Sequence, residues 1–169
     1  MSNPNPNPNP NPNPNPNPAG ELYTFGHGRY GALGHGDNAD QQTPRLVASL
    51  QGMRVLAVAA GRWHSLALSE SSEVYSFGIG GYGRLGHGDS VAWHMPHLIA
   101  GLQGVRLRSI AAGDSTSLAV TTEGEVYVWG IVPADGILLQ RSGADGAEDC
   151  FEYPGVLVPL KYPALRLHD

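Results

Sequence analysis

The sequence predicts an all-β protein, a partial and open β-propeller of four-stranded blades preceded by a disordered Asn-Pro arm. Three observations carry this reading. A unit of about fifty residues occurs twice and begins a third time, the mark of a repeat architecture. Each unit holds four short runs of strand character separated by turn residues, the strand content of one propeller blade. No stretch keeps a sustained helical period.

In chain order, the arm comes first. Residues 1–19 are dominated by a strict Asn-Pro alternation from Asn3 to Pro18. It offers nothing apolar to bury and removes every second backbone donor, so it is expected to be a disordered spacer or a tag. Prolines two apart also lack the P-x-x-P register that aromatic grooves read. The first repeat takes residues 20–71, the second 72–123, and a partial, degenerate third 124–169. A shift of 52 positions, Gly26 onto Gly78, lays GHGRYGALGHGD over GIGGYGRLGHGD. The same shift lays ELYTFG over EVYSFG and then EVYVWG, TPRLVASLQGMR over MPHLIAGLQGVR, and AAGRWHSLAL over AAGDSTSLAV. Roughly half the positions of the two complete units are identical, so the unit is what the sequence specifies.

Within a unit, strands are expected at Arg45 to Leu50, Val55 to Ala60, Ser65 to Leu68 and Val74 to Phe77. Pro44 and Pro96 are read as opening their strands, where a missing donor is tolerated. Gly52 and Gly104 mark turns, and Gly61 and Gly113 mark places where another backbone comes close. Gly26, Gly28 and Gly31 fit G-x-G-x-x-G, but a dinucleotide site needs a helix next, and Leu-Gly-His-Gly-Asp breaks helices. The glycines are therefore read as conformational, with Leu33 and Leu85 as apolar anchors and Asp37 and Asp89 bonding nearby amides.

The net charge is −5 with a single lysine, Lys161. No basic field is present to hold a phosphate backbone, so no direct nucleic-acid binding is expected. No apolar run approaches the ~20 residues that span a bilayer, and the N-terminus lacks a basic region followed by an apolar one. The expectation is an intracellular protein, cytoplasmic or nuclear, without membrane contact. The lone Cys150 excludes an internal disulfide and any multi-cysteine metal site. No cofactor, metal or catalytic residue is implied.

The order strand-WG or FG, G-x-x-x-Y-G-x-LGHGD, a proline-led strand and AAG-x-x-HSLAL resembles the regulator of chromosome condensation repeat family, from Gly20 onward. The resemblance implies a β-propeller, which closes with seven repeats in that family; this chain has two full repeats and part of a third. In the third unit Ile131 to Tyr153 replaces the glycine-rich block, and Pro154 is read as recovering the proline-led strand with a net insertion of six residues, 24 positions from Gly130 against 18 from Gly78 to Pro96.

His35 and His87 are equivalent in successive units and are expected to bond within their own loops rather than share an ion. His64, which aligns with Thr116, is expected to bond backbone through its polar tip. His94 and His97 flank Met95-Pro96 and are read as loop residues rather than a chelating pair. One plant member of the family senses ultraviolet light through clustered interface tryptophans. Here only Trp63 falls in the comparable block, and Trp129 takes the core position of Phe25 and Phe77, so that role is not expected.

Propellers of this kind present unlike loops on a like framework. The segments where the units diverge, Asn38 to Thr43 and Ser90 to Met95, with Arg62-Trp63 against Asp114-Ser115, are therefore the candidate partner-binding loops. The candidate residues are Asn38, Asp40, Gln41, Gln42, Arg62, Trp63, Ser90, Trp93, His94 and Asp114. The function expected is a non-enzymatic protein-protein interaction module. The alternatives the resemblance implies are a fragment of a guanine-nucleotide exchange factor for a small nuclear GTPase, or the substrate-recruiting part of a ubiquitin ligase. Open propeller edges are expected to favour self-association, above all at Val156 to Leu160 and Leu165 to Leu167, which are apolar and poorly defended.

Overall fold

The computed structural model describes residues 20–131 and 156–162. Its strands are β1 (Tyr23–Gly26), β2 (Gln41–Leu46), β3 (Val55–Ala60), β4 (His64–Ser69), β5 (Val74–Gly78), β6 (Trp93–Leu98), β7 (Leu107–Ala112), β8 (Thr116–Thr121), β9 (Val126–Gly130) and β10 (Val156–Lys161). They form antiparallel sheets in the orders β1-β2, β3-β4-β5-β6 and β10-β9-β8-β7. The molecule is thus half a blade followed by two four-stranded blades, a partial and open β-propeller. Among the described residues no helix is long and apolar enough to cross a membrane, and the helical elements are short 3-10 turns.

The outermost strand of each blade departs from expectation in a way its proline explains. β2 runs over Gln41–Leu46, not Arg45 to Leu50, and a 3-10 turn follows at Ala48–Leu50. The turn points both Val47 and Leu50 inward, and both are buried. Pro44 and Pro96 lie inside their strands rather than opening them. Each falls in the irregular stretch of the ladder, between Thr24/Gly26 on one side and Ser76/Gly78 on the other, where a bulge leaves no donor to miss.

The same ladder relocates the third unit's proline. Val156 pairs with Gly130 as Trp93 pairs with Gly78, and Leu160 pairs with Val128 as His97 pairs with Ser76. Pro159, not Pro154, therefore matches Pro96, and the insertion is eleven residues (29 positions from Gly130 to Pro159 against 18 from Gly78 to Pro96). Pro154 lies outside the described residues, as do Cys150, Leu165 to Leu167 and the Asn-Pro arm.

Two apolar clusters lie between successive sheets. Leu22, Val47, Leu50, Ala67 and Phe77 join the half-blade to the first full blade. Leu66, Leu68, Val74, Ile99, Leu102 and Trp129 lead the cluster that joins the two full blades. Phe77 and Trp129 fill the expected core position, but Phe25 does not: it is 64% exposed. Gly52 and Gly104 take the left-handed conformation their turns require, at φ 80° and 78°. At Gly61 a Cβ would stand 2.5 Å from the Gly113 carbonyl oxygen, the close approach expected; Gly113 itself has room, its Cβ meeting nothing nearer than 3.7 Å.

Candidate functional site

Antiparallel alternation sends the loops in which the repeats differ to one end of the blades. β1, β3, β5, β7 and β9 run toward this end, and β2, β4, β6, β8 and β10 leave it. The opposite end carries the more alike turns, VASLQGMR at 47–54 against IAGLQGVR at 99–106.

The glycine-rich loops are pinned to this end in the same way twice. Leu33 and Leu85 are buried, and Asp37 and Asp89 each accept the amide of the residue two positions on, Ala39 and Val91, at 3.0 Å. Thr24 Oγ1 donates to the Leu33 carbonyl, and Ser76 Oγ to the Leu85 carbonyl, at 2.6 and 2.7 Å. Each hydroxyl proton is thereby used, so the 3.0 and 2.9 Å contacts to His35 and His87 are Nε2–H groups donating to the hydroxyl oxygens. Burial lowers the pKa of both imidazoles, that of His87 to about 4.

His64 is buried at the seam between the two full blades and bonds a side chain, not backbone. Ser117 Oγ donates to the Arg84 carbonyl at 2.8 Å, so His64 Nε2–H donates to Ser117 Oγ, also at 2.8 Å. His64 Nδ1 is left buried without a hydrogen-bond partner. Burial first, and the Arg84 guanidinium second, lower its pKa to about 4. With its proton on Nε2, His64 cannot act as a base on Ser117, which rules out a serine nucleophile built on this pair.

Of the candidate partner-binding residues, the structure joins three. Arg62 Nη1 meets Asp114 Oδ2 at 3.2 Å, bridging the loops of neighbouring blades, and the Arg62 guanidinium lies 5.7 Å from the Trp63 ring. The Trp63 ring makes an edge contact with Tyr30 at 5.9 Å. Arg29 sits 4.8 Å from the Tyr30 ring and 5.7 Å from that of Trp63. Arg29, Tyr30, Arg62 and Trp63 thus form one patch across the half-blade and the first full blade, with both arginines exposed.

The other candidates go elsewhere. Asn38, Gln42 and Ser90 stay on the exposed rim, and Gln41 is half-buried at the start of β2. Asp40 ties its own loop, accepting the Gly28 amide at 2.9 Å beside His27 Nδ1. Trp93 stacks on His97 with centroids 4.0 Å apart, and both meet the edge of His87. The His94 carbonyl accepts the Gly36 amide at 2.8 Å, fastening the preceding loop. His94 and His97 therefore serve separate contacts.

Arg29 and Tyr30 are the patch residues that sequence reasoning missed. Treating the two glycine-rich blocks as alike hid the exchange of Arg29 for Gly81 within them. Tyr30 gave no such signal, because Tyr82 repeats it; only the structure shows that both hold φ 61°, rare for a bulky residue.

Four-stranded antiparallel blades with interlocking glycine-rich loops define this chain as a propeller-repeat protein. It belongs to the Regulator of chromosome condensation (RCC1) repeat family, which it matches at residues 19–68 and 71–120. It is 42% identical over 144 residues to the E3 ubiquitin-protein ligase HERC2 of Homo sapiens, a match covering 84% of this chain and 3% of that protein. It is 47% identical over 108 residues to the Ultraviolet-B receptor UVR8 of Arabidopsis thaliana, covering 63% of this chain and 24% of the receptor. Its fold superposes on yeast RCC1 (Prp20), solved bound to Kap60, with a TM-score of 0.66 and 27% identity, over 88% of this chain and 35% of that one. The chain therefore spans a small part of each of these proteins.

Proposed function

We propose that this protein is a non-enzymatic protein-protein interaction module whose contact surface is the loop end of the blades. The observation that carries it is the Arg29, Tyr30, Arg62 and Trp63 patch. Tyr, Trp and Arg are the residue types that supply most of the energy of protein interfaces. Here they are assembled from two neighbouring sheets at the end where the repeats differ. The yeast RCC1 structure, with Kap60 bound, supports a protein partner for this class of fold. The reading keeps the protein intracellular.

Affinity capture with the full chain tests it, comparing Arg62→Ala/Trp63→Ala with Arg54→Ala/Glu70→Ala, an exposed pair at the opposite end. A partner lost with the first variant and kept with the second is the expected result. A partner retained by the first variant would overturn the assignment.

The 42% identity to HERC2 favours one second reading, that these repeats recruit substrates as part of a ubiquitin ligase. Ubiquitylation of a captured partner in a reconstituted ligase reaction, lost with Arg62→Ala/Trp63→Ala, would select it. The exchange-factor alternative has less support, since among the described residues no hairpin is inserted between the full repeats that could act as a wedge on a GTPase.

A further inference from the structure

The second repeat is an internal control for the Arg29, Tyr30, Arg62 and Trp63 patch. A shift of 52 positions carries Arg29 onto Gly81, Tyr30 onto Tyr82, Arg62 onto Asp114 and Trp63 onto Ser115. The backbone does not respond to these exchanges. Tyr30 and Tyr82 both hold φ 61°, with ψ 17° and 16°. The Gly31 and Gly83 amides donate to the Gly28 and Gly80 carbonyls, both at 3.0 Å. The Gly61 and Gly113 amides donate to the His64 and Thr116 carbonyls, both at 2.8 Å. Neither loop therefore needs an arginine or a tryptophan to take its shape, and the residues that differ are free to serve recognition.

Charge makes the difference specific. The Arg29 and Arg62 guanidinium groups each lie 5.7 Å from the Trp63 ring. Asp114 answers Arg62 at 3.2 Å, but among the described residues no salt bridge reaches Arg29. Asp40, in the same loop, is turned to the Gly28 amide and His27. Arg84 is buried and spends Nε and Nη1 on the Gly81 and Asp114 carbonyls. The patch is left with one uncompensated guanidinium beside two half-buried rings, on a chain whose net charge is −5.

We infer that the partner meets this patch with a short segment carrying one carboxylate beside an apolar side chain, the acid on Arg29 and the apolar group on the Tyr30 and Trp63 rings. The inference rests on the loop-end reading and names the chemistry of its partner. A guanidinium already laid against aromatic rings presents its fork with little further ordering, which favours pairing with a planar carboxylate. A phosphate suits the patch less well, because the Asp114 side chain, 61% exposed beside Arg62, repels a second negative charge. The segment therefore sets its acid over the half-blade and away from Asp114.

The test titrates the isotope-labelled full chain with the capped peptide Gly-Leu-Asp-Leu-Gly and follows the Trp63 indole N–H and the Arg29 Nε–H by NMR. Saturable shifts of both are expected, with a Kd of about 1 mM or tighter. The peptide with Asn in place of Asp should bind about fivefold more weakly or worse, and a phosphoserine in that place should bind no more tightly than Asp. Arg29→Gly, which copies the second repeat at that position, should weaken the Asp peptide by about fivefold. Asp114→Asn should tighten it by about twofold, a gain that damage to the fold would not produce. Equal binding of the Asn and Asp peptides overturns the inference while leaving the loop-end reading to the capture experiment. No saturable shift, indifference to Arg29→Gly, no gain with Asp114→Asn or tighter binding of the phosphoserine peptide overturns it as well. Shifts of the same groups that appear without peptide as protein concentration rises also do so, because a second copy then occupies the patch.

Discussion

Phe25 in β1 and Phe77 in β5 stand at the same place in the repeat, yet Phe25 is 64% exposed and Phe77 1%. Nothing in their own strands accounts for this. Phe77 is covered by Gly34, in the glycine-rich loop of the preceding half-blade, and Trp129 is covered by Gly86 in the preceding full blade. The core of this protein therefore lies between units, and a residue's burial depends on the unit before it. The left-handed glycines follow from that arrangement. Gly34 and Gly86 hold φ 77° and 80°, and a Cβ on either would stand 3.0 Å from the ring beneath.

The largest effect should come from emptying the interior position. Trp129→Ala or Phe77→Ala should cost about 3–5 kcal/mol, while Phe25→Ala should stay within ~0.5 kcal/mol. Denaturant unfolding measures the difference, and similar losses at Phe25 and Phe77 would break the comparison.

A change in acidity should act at the seam between the full blades. The folded pKa of His64, about 4, lies below its ordinary value of 6.5. The seam is fully stable above pH 6.5 and loses stability as pH falls toward 4, because the unfolded chain binds a proton that the buried imidazole refuses. The slope should approach about 1.4 kcal/mol per pH unit, and melting from pH 7 to 4 should show it flattened in His64→Gln. His87, lowered to about 4 by burial and by His97, adds to the same window.

Gly78→Ala and Gly26→Ala share the strain of a left-handed backbone, at φ 113° and 105°, worth roughly 1–2 kcal/mol each. Only Gly78→Ala also meets the Trp63 carbonyl oxygen, so it should cost about 1–3 kcal/mol more. Equal losses would mean that β1 already has an inner neighbour. The smallest effect belongs to the exposed Arg62–Asp114 bridge, whose removal by Asp114→Ala should change stability by less than ~1 kcal/mol while bearing on partner capture.

Much of this fold was legible because its signals are local. Turn glycines, strand-length apolar runs and a 52-residue period need only near neighbours, and β3, β4 and β5 fall close to where the sequence set them. The outer strands were less legible. Pro44 and Pro96 read as strand openers, whereas a bulge in the partner ladder accommodates them inside β2 and β6. Matching Pro154 to Pro96 failed for the same reason, since only the pairing of Val156 with Gly130 fixes the register.

The sequence by itself determined the family, the antiparallel blades, the turn geometry and the residue types that line each loop, because repetition encodes each of these within one unit. Tertiary structure alone decided which equivalent residues are buried, where His64 sends its proton, and which loop residues meet in the Arg29, Tyr30, Arg62 and Trp63 patch. Those outcomes depend on how one unit stacks on the next, and a strand pattern with a period of two residues carries no record of the neighbouring blade.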